Sequence, residues 1–441
     1  MSPFDLAPDI DRYQRVVFVL AFTPLLPKMA NAICILHSNA ALARSAPDWM
    51  IDLRFTHVDM DPAEAFGMVG VEQPPNLRVS TVFPRESSAH LTTDQISQVL
   101  NHMPGRNNER LFEEWKREWQ GRIAGRRAVL YTRNPPFLRL FREMPLKNFP
   151  FFVEIHQLRY RAKVKASPDA RPSEIKPLLR KARDTEFDLI SLAEKAWFIS
   201  GSMERIARRI RPNLNTGVLR SGYEPDRELA RELTDPPDLS DEARDIDLLY
   251  SGQLYDWKGV HVAIQALRYC NPRIRLTIVG GNNAGDLSIN QHIAEHLGVA
   301  DRIDWLGHRP RGEVMRLQRR AKLSLVPLTR YFRISKWFTS PIKAFELMAA
   351  GTPMLVADLP TLRDLLEEDQ TGAFARPNDP RDWARQIERV LADAPYRRRL
   401  AENGLRKIRD FTYDRRAATM RDEIQAWIDR QPDKEAVALC G

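Results

Sequence analysis

The stretch SPIKAFELMAAGTPMLVAD, residues 340–358, joins a short helix to a short strand, and its reading decides the fold. Ser340 is a good N-cap, and Pro341 suits the first helical position, where its missing N–H would be unpaired anyway. Gly351 falls where a left-handed C-terminal cap is wanted, and Pro353 just beyond cannot continue the helix. The helix between these signals, about ten residues long, puts Lys343 and Glu346 on one face. Its N-terminus offers unpaired backbone N–H groups and a positive dipole end, which suit a phosphate. A glutamate one turn further can accept two hydrogen bonds from a ribose diol. Taken alone, the same residues equally describe a capped core helix with an ordinary surface Lys–Glu pair.

Around this stretch, short apolar runs alternate with amphipathic runs, the pattern of parallel α/β sheets. From residue 247 onward the order is strand DLLYSG (247–252), helix VHVAIQALRY (260–269), strand RLTIVGG (275–281) and a helix near 289–297. Strand IDWLG (303–307), helix 311–320 and strand LSLVPL (323–328) follow. Beyond the opening helix and its strand PMLVAD (353–358) come helices near 380–393 and 397–411, then an amphipathic helix at 415–429. Upstream, strands are expected at RVVFVLAF (15–22), AVLYTR (128–133) and FFVEIH (151–156), with helices at 30–43 and 109–123. Between the halves, TDPPDLSDEARDID (234–247) is rich in Pro and Asp, lacks apolar periodicity and reads as a linker. The expected fold is therefore α/β with two Rossmann-like domains. An N-terminal domain spans 1–233, the linker 234–247, a C-terminal domain 248–411, and a last helix and tail 412–441. A cleft between the two domains is the expected binding site.

Composition narrows the partners. The chain has 441 residues, too many for one ordinary core, and its 43% hydrophobic and 28% charged content is that of a globular protein. Cys34, Cys270 and Cys440 are far apart and form no CxxC or metal spacing, which points to a reducing compartment without structural disulfides or zinc. The apolar run 16–27 is too short to span a bilayer and follows an acidic leader. A cytoplasmic location is expected. The net charge of +9 and pI near 9.5 point to anionic partners. Residues 159–184 hold nine Lys/Arg against three acidic residues. That segment reads as a solvated helix face, or as attachment to an anionic membrane surface at the inner leaflet. No helix-turn-helix, RRM or zinc-finger pattern accompanies the charge, so no nucleic-acid partner is expected.

The neighbours of the opening stretch change its meaning. YSGQLYDWKGVHVAIQAL (250–267) places Gly252 and Gln253 after a strand and Lys258–Gly259 before a helix, a second phosphate-facing arrangement. Lys258 there can neutralise a leaving diphosphate, a task otherwise given to a metal. TIVGG and DWLGHRP add Gly280 and the Gly307–His308 turn at further strand ends, where backbone must come close to a flat ligand.

These segments together carry a family resemblance. SGQLYDWKGV (251–260), LTIVGG (276–281), RIDWLGHRP (302–310), SPIKAFELMAAGTPMLVADLPTLRDLL (340–366) and TGAFARPNDP (371–380) run in one order through the second half. They resemble the nucleotide-sugar-binding domain of GT-B glycosyltransferases, specifically the bacterial branch of glycosyltransferase family four with SPxKxFE and WKG motifs. The resemblance implies retaining transfer from a UDP- or GDP-linked sugar, with no cofactor and no bound metal. It puts Glu346 on the donor ribose, Lys258 on the diphosphate, the backbone of Thr339, Ser340, Pro341 and Ile342 on phosphate or sugar, and Gly307–His308 near the base. Two residues depart from the pattern. Phe338 stands where the family usually has a glutamate, and Gln253 where many members have arginine. Lys343, or Arg330, Arg333 or Lys336 in LTRYFRISKW (328–337), is expected to supply the missing positive charge.

The first half matches more loosely. YTRNPPFL (131–138) and FVEIHQL (152–158) resemble the family's acceptor-domain strands, which implies a catalytic place for His156 near the donor sugar. Arg133 ends another strand, where ligands of such sheets collect. Glu154 is expected on the face opposite His156, and Lys28 in TPLLPKMANA (23–32) is expected near the diphosphate. The function implied is a glycosyltransferase, hexosyltransferase-like, acting on a glycan, lipid-linked or small-molecule acceptor in cell-envelope glycan or glycolipid synthesis. A sugar-nucleotide epimerase and a non-catalytic binding protein of the same fold remain open. A nicotinamide dehydrogenase does not, since GGNNAGD (280–286) lacks the GxGxxG spacing.

Overall fold

The computed structural model describes residues 12–430 except 22, 27–29, 57, 59, 82–127, 134, 136–149, 161–171, 225–236 and 282. The helix expected at 109–123 and Lys28 lie outside them. The chain divides into two compact units. The first comprises residues 1–199, 204–222 and 413–441, and the second 200–203 and 223–412.

The first unit is built on a seven-stranded sheet in the order β3-β2-β1-β4-β5-β6-β7, parallel throughout. Its strands are β1 Arg15–Leu20, β2 Trp49–Phe55, β3 Leu77–Thr81, β4 Ala128–Thr132, β5 Phe151–Ile155, β6 Lys195–Phe198 and β7 Thr216–Val218. Strand order reverses between β1 and β4, so the carboxyl ends of those two strands mark a place where α/β sheets take ligands. Tyr413, Ala417, Met420 and Ile424 of the last helix, Tyr413–Asp429, recur at helical spacing and join this unit's core with Ile35, Leu36 and Leu42. The end of the chain therefore returns to the first unit.

The second unit carries a six-stranded parallel sheet, β10-β9-β8-β11-β12-β13. Its strands are β8 Ile246–Ser251, β9 Leu276–Val279, β10 Ile303–Gly307, β11 Ala321–Val326, β12 Met354–Ala357 and β13 Ala373–Ala375. The two central strands are buried on both faces over 248–251 and 323–326, as strands inside a parallel α/β sheet are. Here order reverses between β8 and β11.

Residues 237–245, expected to be linker, are docked instead. The buried Arg244 guanidinium donates to the carbonyls of Ala321 (2.7 Å) and Gly351 (2.7 Å), and Arg397 pairs with Asp241. Pro and Asp removed the apolar period there, but carbonyls at the end of a helix and the start of a strand still needed a donor, and arginine supplies it. The helix of the opening stretch runs Ile342–Ala350, one residue later than expected at its start. Pro341 is its N-cap, and no side chain caps it, so Ser340 does not play the expected capping part. Gly351 does close the helix, at φ 65°. The basic segment is described only from its helix, Pro172–Ile190, where Lys176, Arg180 and Lys181 are exposed as on a solvated face.

Candidate functional site

In the second unit, glycines line the carboxyl edge of three adjacent strands. Gly252 N donates to Val279 O (2.9 Å), and Gly280 N to Gly307 O (2.8 Å). Gly280 has φ 115°, and a Cβ on it would stand 2.2 Å from Gly252 O, so only glycine fits there. Gly259, at φ 74°, is held more tightly still. A Cβ there would meet Pro327 O at 1.9 Å. That close approach seats the Lys258–Gly259 turn over the end of β11, beside the point where strand order reverses. Thr329 N donates to Trp257 O (3.1 Å) and fastens the same turn.

Two ammonium groups and one carboxylate meet at this edge. Lys343 Nζ lies 2.5 Å from Glu346 Oε2, and Lys343 Cε is 3.7 Å from where a Cβ on Gly252 would stand. Lys258 Nζ sits 4.1 Å from the centre of the Trp257 ring, a cation–π contact. Burial first, and then the charge of Lys343, push the Lys258 ammonium down to about 8, with Glu346 opposing. Two cations share one acid, which leaves net positive charge beside unpaired N–H groups of the helix N-terminus. The pair expected to divide between diphosphate and ribose is closed on itself here, so a ligand that takes both must replace that ion pair.

The depressed Lys258 value gives a pH prediction. A lysine lowered in the folded state costs stability while charged, so its contribution improves as pH rises from about 8 toward the unfolded value. An anionic ligand reverses the preference by drawing the proton back. Pyrophosphate affinity is therefore expected to fall above pH about 8, by up to about tenfold per pH unit, with proton uptake seen by calorimetry in buffers of different ionisation heat. Lys258→Arg is expected to flatten the profile.

The remaining expected residues fall nearby in varied ways. Gln253 O accepts from the buried Tyr250 hydroxyl (2.5 Å), so Tyr250 shapes the turn that follows β8. The turn Asp256–Lys258 packs against a π-helical turn, Ile334–Phe338. There Phe338 is buried and the Arg333 guanidinium lies 5.4 Å from its ring centre. Arg330 and Lys336 instead lie over Tyr331 and Trp337. Thr339 is extended, Ser340 is buried, and His308 at the Gly307 turn is exposed. Trp257 and Tyr250 were not singled out from sequence. Their signal was proximity to the Lys–Gly turn alone.

His156 belongs to the first unit, and its surroundings correct one expectation. Its Nε2 lies 2.7 Å from Glu154 Oε1 and accepts from Arg133 Nε at 3.0 Å, so Glu154 and His156 meet rather than face apart. Residues two apart along a strand share a face, so Glu154 and His156, which follows the end of β5 at Ile155, lie on one side of it. Glu154 Oε2 also accepts from Tyr131 and from Arg416 of the last helix. Burial alone would raise the Glu154 carboxyl, but Arg416 and then Arg133 hold it well below the usual range. Burial and then Arg133 lower His156, against the pull of Glu154, so the imidazole is neutral at pH 7.

Comparison with known proteins agrees with this geometry. Residues 234–407 match the family described as Glycosyl transferases group 1. The chain is 30% identical over 189 residues to a D-inositol 3-phosphate glycosyltransferase of Xylanimonas cellulosilytica, covering 42% of this chain and 43% of that protein. It is 32% identical over 171 residues to a glycogen synthase of Mycobacterium tuberculosis, covering 38% and 39%. The chain thus spans less than half the length of these curated relatives. Among solved structures it resembles sucrose-phosphate synthase from Thermosynechococcus elongatus, with TM-score 0.64 at 18% identity over 95% of this chain and 100% of that one. It also resembles HepE of Anabaena in complex with UDP, with TM-score 0.62 at 16% identity over 93% and 100%. The fold is of GT-B type, with two Rossmann-like units.

Proposed function

We propose that the chain is a glycosyltransferase that moves a sugar from a UDP- or GDP-linked donor to an acceptor hydroxyl with retention. The observation that carries this reading is the Lys258–Lys343–Glu346 cluster at the strand-order reversal of the unit that matches Glycosyl transferases group 1. Glu346 binds the ribose diol and the two lysines bind the diphosphate. Departure of the nucleoside diphosphate leaves an oxocarbenium-like sugar, so the step depends on stabilising the leaving group and holding the acceptor in line. Lys258 and Lys343 supply the first need with fixed charge. In the first unit, His156, neutral and with its side chain 32% exposed, is the candidate for acceptor chemistry.

Among the described residues no helix is long and apolar enough to cross a membrane. The exposed basic helix Pro172–Ile190 supports action in the cytoplasm at an anionic inner leaflet, on a glycan, lipid-linked or small-molecule acceptor of envelope synthesis. The test is incubation with radiolabelled UDP- and GDP-sugars and an extract of candidate acceptors. Acceptor-dependent nucleotide release with label transfer, unchanged by EDTA, is the expected result. Isomerised donor without acceptor, or tight binding without turnover, would replace this reading with an epimerase or a binding protein.

A further inference from the structure

The charged cluster of the first unit does not balance. Glu154 is the one carboxylate recorded against two guanidiniums, Arg416 and Arg133, among the described residues. Tyr131, His156, Tyr413 and, against Tyr413, Cys34 are the other titratable groups there among the described residues; burial raises both tyrosines and lowers the histidine, so none of those three supplies negative charge at pH 7. Arg416 takes Glu154 Oε2 directly, whereas Arg133 Nε stands 3.7 Å from Oε1, behind His156. The Arg133 side chain is only 12% exposed, and its Nη1 is buried without a hydrogen-bond partner among the described residues. A buried cation in excess, with an unused donor, is costly unless something fills the gap.

Its place in the fold says what fills it. Arg133 follows β4 at the carboxyl edge beside β1, where this sheet's strand order reverses. Guanidinium presents a planar fork matched to phosphate and carboxylate. From this geometry we infer that Arg133 is an anion site of the first unit, taking the phosphate or carboxylate of an anionic sugar acceptor. As the acceptor's site it rests on the glycosyltransferase reading; as an anion site it does not. His156, 3.0 Å from Arg133 Nε, then stands beside the anchored acceptor.

The test is calorimetric titration of the full chain with glucose 6-phosphate, galacturonate and glucose, in the presence of saturating UDP or GDP. Flotation on phosphatidylglycerol vesicles forms a separate arm. An anionic sugar is expected to bind and glucose not to, and Arg133→Ala is expected to weaken that binding at least about tenfold while Arg133→Lys restores part of it. Removing the excess charge should leave the melting temperature of Arg133→Ala unchanged or higher without ligand, which separates lost binding from lost folding. Vesicle binding that Arg133→Ala abolishes would assign the same chemistry to a lipid-borne acceptor. Equal affinity in Arg133→Ala, no anion binding in either arm, or competition by the nucleoside diphosphate overturns the assignment. Should neither nucleotide bind, the same titration of Lys258→Ala/Lys343→Ala still reads the Arg133 site alone, so the two readings fail separately.

Discussion

Arg416→Ala is expected to destabilise the first unit by about 3 kcal/mol, read from the urea midpoint of the full chain. The Glu154 and Arg416 side chains are 2% and 6% exposed, so solvent cannot replace the lost partner. Removing the guanidinium leaves a buried carboxylate facing only Tyr131, His156 and the more distant Arg133. It also removes the hydrogen bond that Arg416 Nε donates to the Arg220 carbonyl at 3.1 Å. Arg133 is close enough to take up part of the role, which is why the estimate sits at the low end for a broken buried pair. The double variant Arg416→Met/Glu154→Gln should regain most of the loss, because no charge is then left unpaired. A double variant no better than the single one would show that packing of the last helix, rather than charge, sets the effect.

Glu346→Ala is expected to weaken nucleoside diphosphate binding by about tenfold to a hundredfold, the cost of hydrogen bonds between a carboxylate and a diol. The same change releases Lys343 from its 2.5 Å ion pair, which should leave pyrophosphate affinity unchanged or higher. Opposite responses to the two ligands are the signature of a ribose contact. A general collapse of the site would weaken both. Glu346→Gln keeps an acceptor for the diol and should fall between the two.

The second unit was legible because β8, β9 and β10 are largely apolar runs that end at a glycine. LTIVGG and IDWLG both announce a strand ending in glycine; Gly280 packs against Gly252, whereas a Cβ on Gly307 would meet nothing within 4 Å. The first unit hid more. WMIDLRF forms the wholly buried β2, yet Asp52 and Arg54 break its apolar run. They face each other at 2.6 Å, and Ser80 Oγ donates to Asp52 at 3.0 Å, so the polar residues are satisfied inside the core. Asp52 and Arg54, two apart, share a face of β2, but Ser80 comes from a strand 28 residues further on. Arg416 is further still from its partner, 262 residues along the chain from Glu154. The positions of Lys258, Lys343 and Glu346 followed from turn and cap signals, but their closure on one another required coordinates. His156 was found by its place at a strand end, and its contact with Glu154 follows from the same strand, since residues two apart share a face.

The central claim is that the edge formed by Gly252, Lys258, Lys343 and Glu346 binds the nucleoside diphosphate part of a sugar donor. The most direct test is calorimetric titration of the wild-type chain and Glu346→Ala with UDP, GDP and pyrophosphate. The account predicts that wild type binds at least one of the two nucleotides with one-to-one stoichiometry, and that Glu346→Ala loses this affinity while keeping pyrophosphate. No nucleotide binding by wild type, or equal nucleotide affinity in both proteins, would contradict it.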